Sequence, residues 1–242
     1  MPSKEVISQL APTGTLRAGI NMSNFLLVTG KTTSGDPDGV SPDLAREIAK
    51  RLGVPVKLVP FPSPDKLVDA AGSNAWDIGL VGAEPQRELK MGFTAAYAEI
   101  EATYMVRKDS PLKACAEVDR KGVSIITRGG SAYGLWLERN IKNAKLVLTE
   151  TGEEAKERFA GEKIDAFAGL RNGLMKDVEK NPGMRILSGQ FSSVQQAVGT
   201  LKENKAAVAY LREVVEDAKA SGLIARFIEK HKANGLTVAP AG

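Results

Sequence analysis

Two short stretches carry residue types that could hold a negative group. The first is Gly82-Ala83-Glu84-Pro85-Gln86-Arg87, directly after the apolar run Trp76–Val81. A strand that ends in small residues and opens a helix at a proline presents backbone N–H groups without partners, and the helix dipole favours an anion there. Arg87, in the predicted first turn, could close over that spot with two parallel donors, the geometry that suits a carboxylate. The competing reading is a surface ion pair with Glu84 or Glu88. The second stretch is Arg128-Gly129-Gly130-Ser131, after the run GVSIIT. Its two glycines let the backbone approach a ligand closely, and Ser131 is a natural helix N-cap with a hydroxyl to offer. The competing reading is a plain capped turn. The GxGxxG spacing of a dinucleotide site is absent.

Other chemistry has little to work with. The chain has one cysteine, Cys115, and one histidine, His231. It therefore forms no intrachain disulfide and holds no zinc of the usual Cys/His type, and no metal or cofactor is expected. A Ser-His-Asp triad would need His231, which lies in a lysine-rich C-terminal stretch and reads as a solvated surface histidine. Lys and Arg total 33 against 29 acids, for a net charge of +4. That surplus is spread along the chain instead of concentrated on one face, which argues against nucleic acid. No apolar run approaches a membrane span of about 18 residues. The N-terminal MPSKEVISQL has neither an apolar core nor a small-residue cleavage site. It does not read as a secretory leader, so the expectation is a mature chain or a cytoplasmic one.

The elements that must position the two stretches come as alternating strands and helices. The length of 242 residues allows one large domain or two modest ones. Residues 15–20 read as a strand, and Ser41-Pro42-Asp43 starts a helix in which Leu44, Ile48 and Leu52 repeat at helical spacing until Gly53 ends it. Val54–Val59 is a strand, Asp65 caps a helix through Ala71, and Trp76–Val81 is a buried strand. A second alternating set follows residue 105. It has strands at Gly122–Thr127, Ala144–Leu148 and Ile164–Ala168, and helices at Ser131–Asn140, Glu153–Ala160 and Leu174–Lys180. A strand near Ala197–Leu201 and two helices, about Ala206–Ala220 and Leu223–Lys232, close the chain. The alternation predicts an α/β protein with mostly parallel sheets flanked by helices. No Gly/Ser linker separates the sets, which suggests lobes joined by short extended crossings.

This layout resembles the bacterial extracellular solute-binding proteins of family 3, the polar amino-acid binding components of ABC transporters. The resemblance runs over roughly residues 14–232. It is carried by GTLRAGI, DGVSPDLAREIAKRLGV, NAWDIGL, the Arg87 turn, FTAAY, VRKDSPL, KGVSIITRGGS and GEKIDAF in that order. It implies the two-lobed periplasmic binding protein type II fold with a two-strand hinge, lobe 1 at residues 1–100 plus 198–242 and lobe 2 at 101–197. It also implies a monomer that binds a small carboxylate-bearing solute, an amino acid or related organic acid, in the cleft between lobes. A membrane permease is the implied partner, and the periplasm the implied location, the cytoplasm being the alternative for a chain without a leader.

Carried over position by position, the family's carboxylate-gripping arginine falls on Arg87 and its Gly-Ser/Thr helix start on Gly130 and Ser131. Its aromatic platform after the first strand looks like Phe25, with Asn21 and Asn24 nearby; the other reading of Phe25 is core. Two positions depart from the pattern. The hydroxyl residue usual five positions before the clamp arginine is here Gly82, which leaves only backbone. The aspartate that pairs with an α-ammonium is here Leu170, followed by Arg171 and Asn172. A buried ammonium facing Leu170 would go unpaired, unless another acid such as Glu84 replaces the partner, and Arg171 points to a second anionic group or to the surface. The resemblance implies no catalytic residue. Two alternatives remain: an enzyme like the cyclohexadienyl dehydratases on the same fold, with Glu84 or Glu150 as general acid, and a cytoplasmic ligand sensor.

Overall fold

The computed structural model describes residues 2–242. The chain divides into two compact units, one holding the chain up to Glu99 and again Gln195–Gly242, the other Ile100–Val194.

In chain order, α1 (Lys4–Leu10) is capped by the Ser3 hydroxyl, which accepts from the Val6 N–H. β1 (Leu16–Asn21) is followed by a small hairpin, β2 (Gly30–Lys31) with β3 (Pro37–Asp38). α2 (Val40–Leu52) buries Leu44, Ile48 and Leu52 and stops at Gly53, whose φ of 72° only glycine adopts freely. β4 (Val56–Phe61), α3 (Pro64–Asp69), β5 (Ile78–Gly82) and β6 (Met91–Phe93) complete the first run. β7 (Ala98–Arg107) leads into the second unit, followed by β8 (Ser124–Arg128), α4 (Ala132–Asn140) and β9 (Lys145–Thr149). Next come α5 (Gly152–Gly161), β10 (Ala166–Leu170), α6 (Arg171–Lys180) and β11 (Met184–Ile186). β12 (Ser192–Leu201) returns the chain to the first unit, which ends with α7 (Lys205–Ala220), α8 (Leu223–Lys230) and β13 (Leu236–Val238).

The first unit is built on β4-β1-β5, all parallel, with Ala18 opposite Leu58 on one side and Ile78 on the other. Parallel neighbours cannot be joined by a tight turn, so α2 and α3 serve as crossovers. β12 runs antiparallel to β5, and β6 antiparallel to β12. β5 is buried at every position, as expected of a strand covered on both faces. Leu16, Ile20, Leu44, Ile48, Leu67 and Ile78 lie at its core with no exposed surface.

The second unit repeats the plan. β10-β8-β9 are parallel, with α4 and α5 as crossovers, and β7 runs antiparallel to β10 and to β11. One cluster packs Ile125, Leu137 and Ala166 with Tyr104 and Val106. Another packs Ile126, Phe159, Phe167 and Leu174. In each unit the strands are therefore mixed, a parallel centre with antiparallel additions.

Several expectations need correction. α3 is capped by Ser63, whose hydroxyl accepts from the Lys66 N–H, and not by Asp65. Pro64 at the first helical position fits that earlier start. No α-helix opens at Pro85. The chain makes a single 3-10 turn, Arg87–Leu89, before β6 begins at Met91. An α-helix there would need an apolar stripe to bury, and Leu89 points to solvent. α1 was not foreseen at all. It packs along α7, where the Gln9 side-chain oxygen accepts from the Ala207 N–H at 2.8 Å. The α7 N-cap, Asn204, makes no side-chain cap bond, so Gln9 supplies one from a distance of nearly two hundred residues.

Candidate functional site

In α/β units, ligand-binding groups collect where parallel strands end at their carboxyl side, because the following loops leave the sheet there with free backbone groups. Each unit has such a rim. In the first, β1 runs out into Asn21, Asn24 and Phe25, and its parallel neighbour β5 runs out into Gly82, Glu84 and Arg87. In the second, β8 runs out into Gly129, Gly130 and Ser131, and its parallel neighbour β10 into Leu170 and Arg171.

Arg87 is the focus of the first rim. It is only 3% exposed, and its Nη1 donates to the Gly82 carbonyl at 2.6 Å. That bond fixes the guanidinium against the end of β5, so Gly82 acts on Arg87 through its backbone. The turn is held further by the Arg87 N–H, which donates to the Glu84 carbonyl at 2.8 Å. Glu84 is buried as well. Because the turn is 3-10 and three residues long, helix-dipole attraction contributes little. Arg87 is the group on this rim whose charge and planar fork suit a carboxylate.

Asn21 and Asn24 are buried and shape their own loop. The Asn21 side-chain oxygen accepts from the N–H and hydroxyl of Ser23, and that of Asn24 from the Leu26 N–H. Phe25 is 39% exposed and so is not core. The loop is pressed onto the start of α2 at Gly39. A β-carbon there would come within 2.3 Å of the Leu27 carbonyl, and its φ is 149°.

In the second unit, Gly130 takes φ 69° and turns the chain into α4. The Ser131 hydroxyl accepts from the Gly134 N–H at 3.0 Å and donates to the Arg128 carbonyl at 2.7 Å. Its proton is thus committed to the turn, and an incoming anion would meet first-turn backbone N–H groups, such as that of Ala132, more readily than the hydroxyl. Tyr133, on the same turn, was not singled out by sequence reasoning. Its phenol is pushed up from its ordinary pKa, chiefly by burial, with a hydrogen bond to Ser131 acting against that. Leu170 stands at the N-cap of α6 with no side-chain cap bond. The Arg171 guanidinium pairs with Glu101 and donates Nη2 to the Gly189 carbonyl at 2.6 Å, so within its unit it ties α6 to β7.

His231 is not a solvated residue. Its side chain is 5% exposed, with Nε2 2.8 Å from Asp43 Oδ2 and Nδ1 3.4 Å from Thr29 Oγ1. A hydroxyl, an imidazole and a carboxylate in that order have the layout of a catalytic triad. The hydroxyl contact is long, however, and Lys230 Nζ sits on the same Asp43 oxygen at 2.7 Å. Asp38, Asp43 and His231 also bring ligand atoms within 4.8 Å of one another. Arg46 lies 2.9 Å from Asp43 and 3.8 Å from Asp38, so with Lys230 two cations already balance this group. Both features read as a structural network joining α2 to α8.

Among the described residues no helix is long and apolar enough to cross a membrane. The profile of the bacterial extracellular solute-binding proteins, family 3, matches residues 16–234. No curated protein matches the chain in sequence. Among solved structures, a mutant of ArgBP from T. maritima is 24% identical, with a TM-score of 0.72 over 95% of this chain and 100% of that one. An amino-acid ABC transporter substrate-binding protein, AbpA from Streptococcus pneumoniae, solved bound to L-arginine, is 21% identical at TM-score 0.73 over 95% and 99% of the two chains. An ancestral amino-acid-binding protein described as a precursor of cyclohexadienyl dehydratase is 21% identical at TM-score 0.70 over 93% and 98%. At these identities the likeness establishes the shared fold, that of the type II periplasmic binding proteins.

Proposed function

This chain belongs to the bacterial extracellular solute-binding proteins of family 3, and on that premise we propose that it captures a small carboxylate-bearing solute for an ABC permease. The observation that carries the proposal is the buried guanidinium of Arg87 at the carboxyl rim of β1 and β5, oriented by the Gly82 carbonyl. A planar fork held in a water-poor setting binds a carboxylate far more strongly than the same group does in water. Phe25 offers a ring to stack on the solute, and Asn21 and Asn24 shape the loop that bears it. The protein works as a monomer outside the cytoplasmic membrane, the location its family's name describes. ArgBP and the Streptococcus pneumoniae protein guide the choice of probes.

Titration calorimetry with L-arginine, L-lysine, L-glutamate, succinate and the matching 2-oxo acids tests this reading. At least one probe binds the wild type, and Arg87→Ala loses that heat. Because Arg87 also bonds Gly82, Arg87→Lys is the companion variant: it keeps the charge, loses the fork and binds at least tenfold more weakly. Wild-type affinity in both variants would mean that the clamp is elsewhere.

A second reading rests on Glu84, a buried carboxyl three residues before Arg87. A general acid needs such a water-poor position, and the fold is shared with a dehydratase precursor. Turnover of prephenate or arogenate, abolished in Glu84→Gln, would establish an enzyme. Saturable binding without turnover would leave a binding protein.

A further inference from the structure

The 3-10 turn that directs Arg87 inward directs Leu89 outward. Leu89 is 75% exposed, while the other exposed large apolar residues among those described range from 37% to 47%. It borders a shallow, open surface depression that Ala71 and Leu201 also line and whose rim carries Lys90, Lys202 and Lys205, with Glu203 the one acid lining it. Lys90 pairs with Asp69 at 3.2 Å, both side chains half or more exposed, so that charge is only loosely engaged. Lys205 is the first residue of α7, whose first turn contains no acid. Cations at a helix N-terminus oppose the helix dipole, and an anionic neighbour relieves that opposition. The backbone here is rigid, since the Lys202 N–H donates to the Lys90 carbonyl and the Lys90 N–H to that of Arg87. An exposed leucine, a shallow depression and a lysine rim on a fixed scaffold complement one kind of occupant.

We propose that this depression is a docking site for a segment of another protein in which one apolar side chain is flanked by carboxylates. The apolar side chain packs on Leu89 and Ala71, and the carboxylates meet Lys90, Lys202 and Lys205. The proposal stands apart from whatever Arg87 holds.

The test is amide chemical-shift mapping of the isotope-labelled full chain titrated with the acetylated peptide Asp-Glu-Leu-Glu-Asp. Saturable shifts are expected at residues 71–72, 89–90 and 201–205, diminished at high salt. The same peptide with serine in place of leucine should bind at least fivefold more weakly, and Lys202→Glu/Lys205→Glu should lose binding while keeping the wild-type melting temperature. Leu89→Ser should weaken binding to a similar degree. Shifts scattered over the whole surface, no shifts at millimolar peptide, or unchanged binding in the charge-reversed variant would overturn the proposal. So would self-association in sedimentation that Leu89→Ser abolishes, since the occupant would then be a second copy of this chain.

Discussion

Nε2 of His231 lies 2.8 Å from Oδ2 of Asp43, two residues 188 positions apart in the chain. Asp43 sits in the first turn of α2, His231 follows the last turn of α8, and Lys230 and Arg46 contact the same carboxylate at 2.7 and 2.9 Å. Burial alone would push the Asp43 carboxyl up, but hydrogen bonds from Lys230 and His231 outweigh it and hold the group below the usual carboxylate range. A group whose folded pKa is depressed stabilises the fold fully above its unfolded value, about 3.9, and loses that contribution as pH falls through the lower folded value. Asp43→Asn should therefore destabilise the protein by about 1–3 kcal/mol at pH 7, and flatten its loss of stability below about pH 4 relative to wild type. Urea unfolding midpoints measured from pH 3 to 7 for both proteins check this; parallel curves would show that the carboxylate charge contributes nothing.

That network also shows what a sequence hides. α2 was readable because Leu44, Ile48 and Leu52 repeat at helical spacing and Gly53 ends the run, all of it local information. The Ser131 cap was readable for the same reason. The partner of His231 was not, because nothing near Lys230-His231-Lys232 announces a carboxylate reaching it from the other end of the chain. α1 and its Gln9 contact to α7 fall in the same class. The turn after Pro85 failed differently. Its start signals were those of a helix, and only the outward Leu89 and the immediate pairing of β6 with β12 stop it after three residues. Of the site, the residue types and the rims that carry them were legible, whereas the commitments of the Ser131 hydroxyl and of Arg171 depend on packing.

Ser131→Ala removes the cap of α4 and the bond to the Arg128 carbonyl together. The expected loss is about 1–2 kcal/mol of stability. Because the hydroxyl proton is already spent inside the turn, ligand affinity should fall by less than about tenfold. A stability loss near zero in denaturant titration would show that the cap is dispensable. A hundredfold loss of affinity would show that the hydroxyl itself reaches the solute.

Gly39→Ala tests how firmly the Phe25 loop is seated. The new β-carbon would meet the Leu27 carbonyl at 2.3 Å and the Val28 Cα at 2.8 Å, both backbone atoms that cannot rotate away. With the strained φ added, the cost should be about 3 kcal/mol or more. Chemical denaturation measures it directly, and a variant as stable as wild type would mean that the loop yields freely.

Leu170→Asp addresses which solutes are held. Leucine is a poor N-cap, and Leu170 precedes the first residue of α6, Arg171, without a side-chain cap bond. Aspartate should cap the helix and raise stability by about 0.5–2 kcal/mol whatever the ligand is. If the position faces the solute, the new carboxylate also offers an α-ammonium the partner it lacks in the wild type. A charge-assisted bond of about 1.5–3 kcal/mol corresponds to a ten- to hundredfold gain. The wild type should accordingly bind a 2-oxo acid at least as well as the matching amino acid, and Leu170→Asp should reverse that order. Calorimetry on the two proteins with such a pair of solutes reads both effects. Wild-type binding restricted to zwitterionic amino acids would show that another acid, Glu84 foremost, already meets the ammonium. Added stability with no change of preference would show that Leu170 caps α6 without touching the solute.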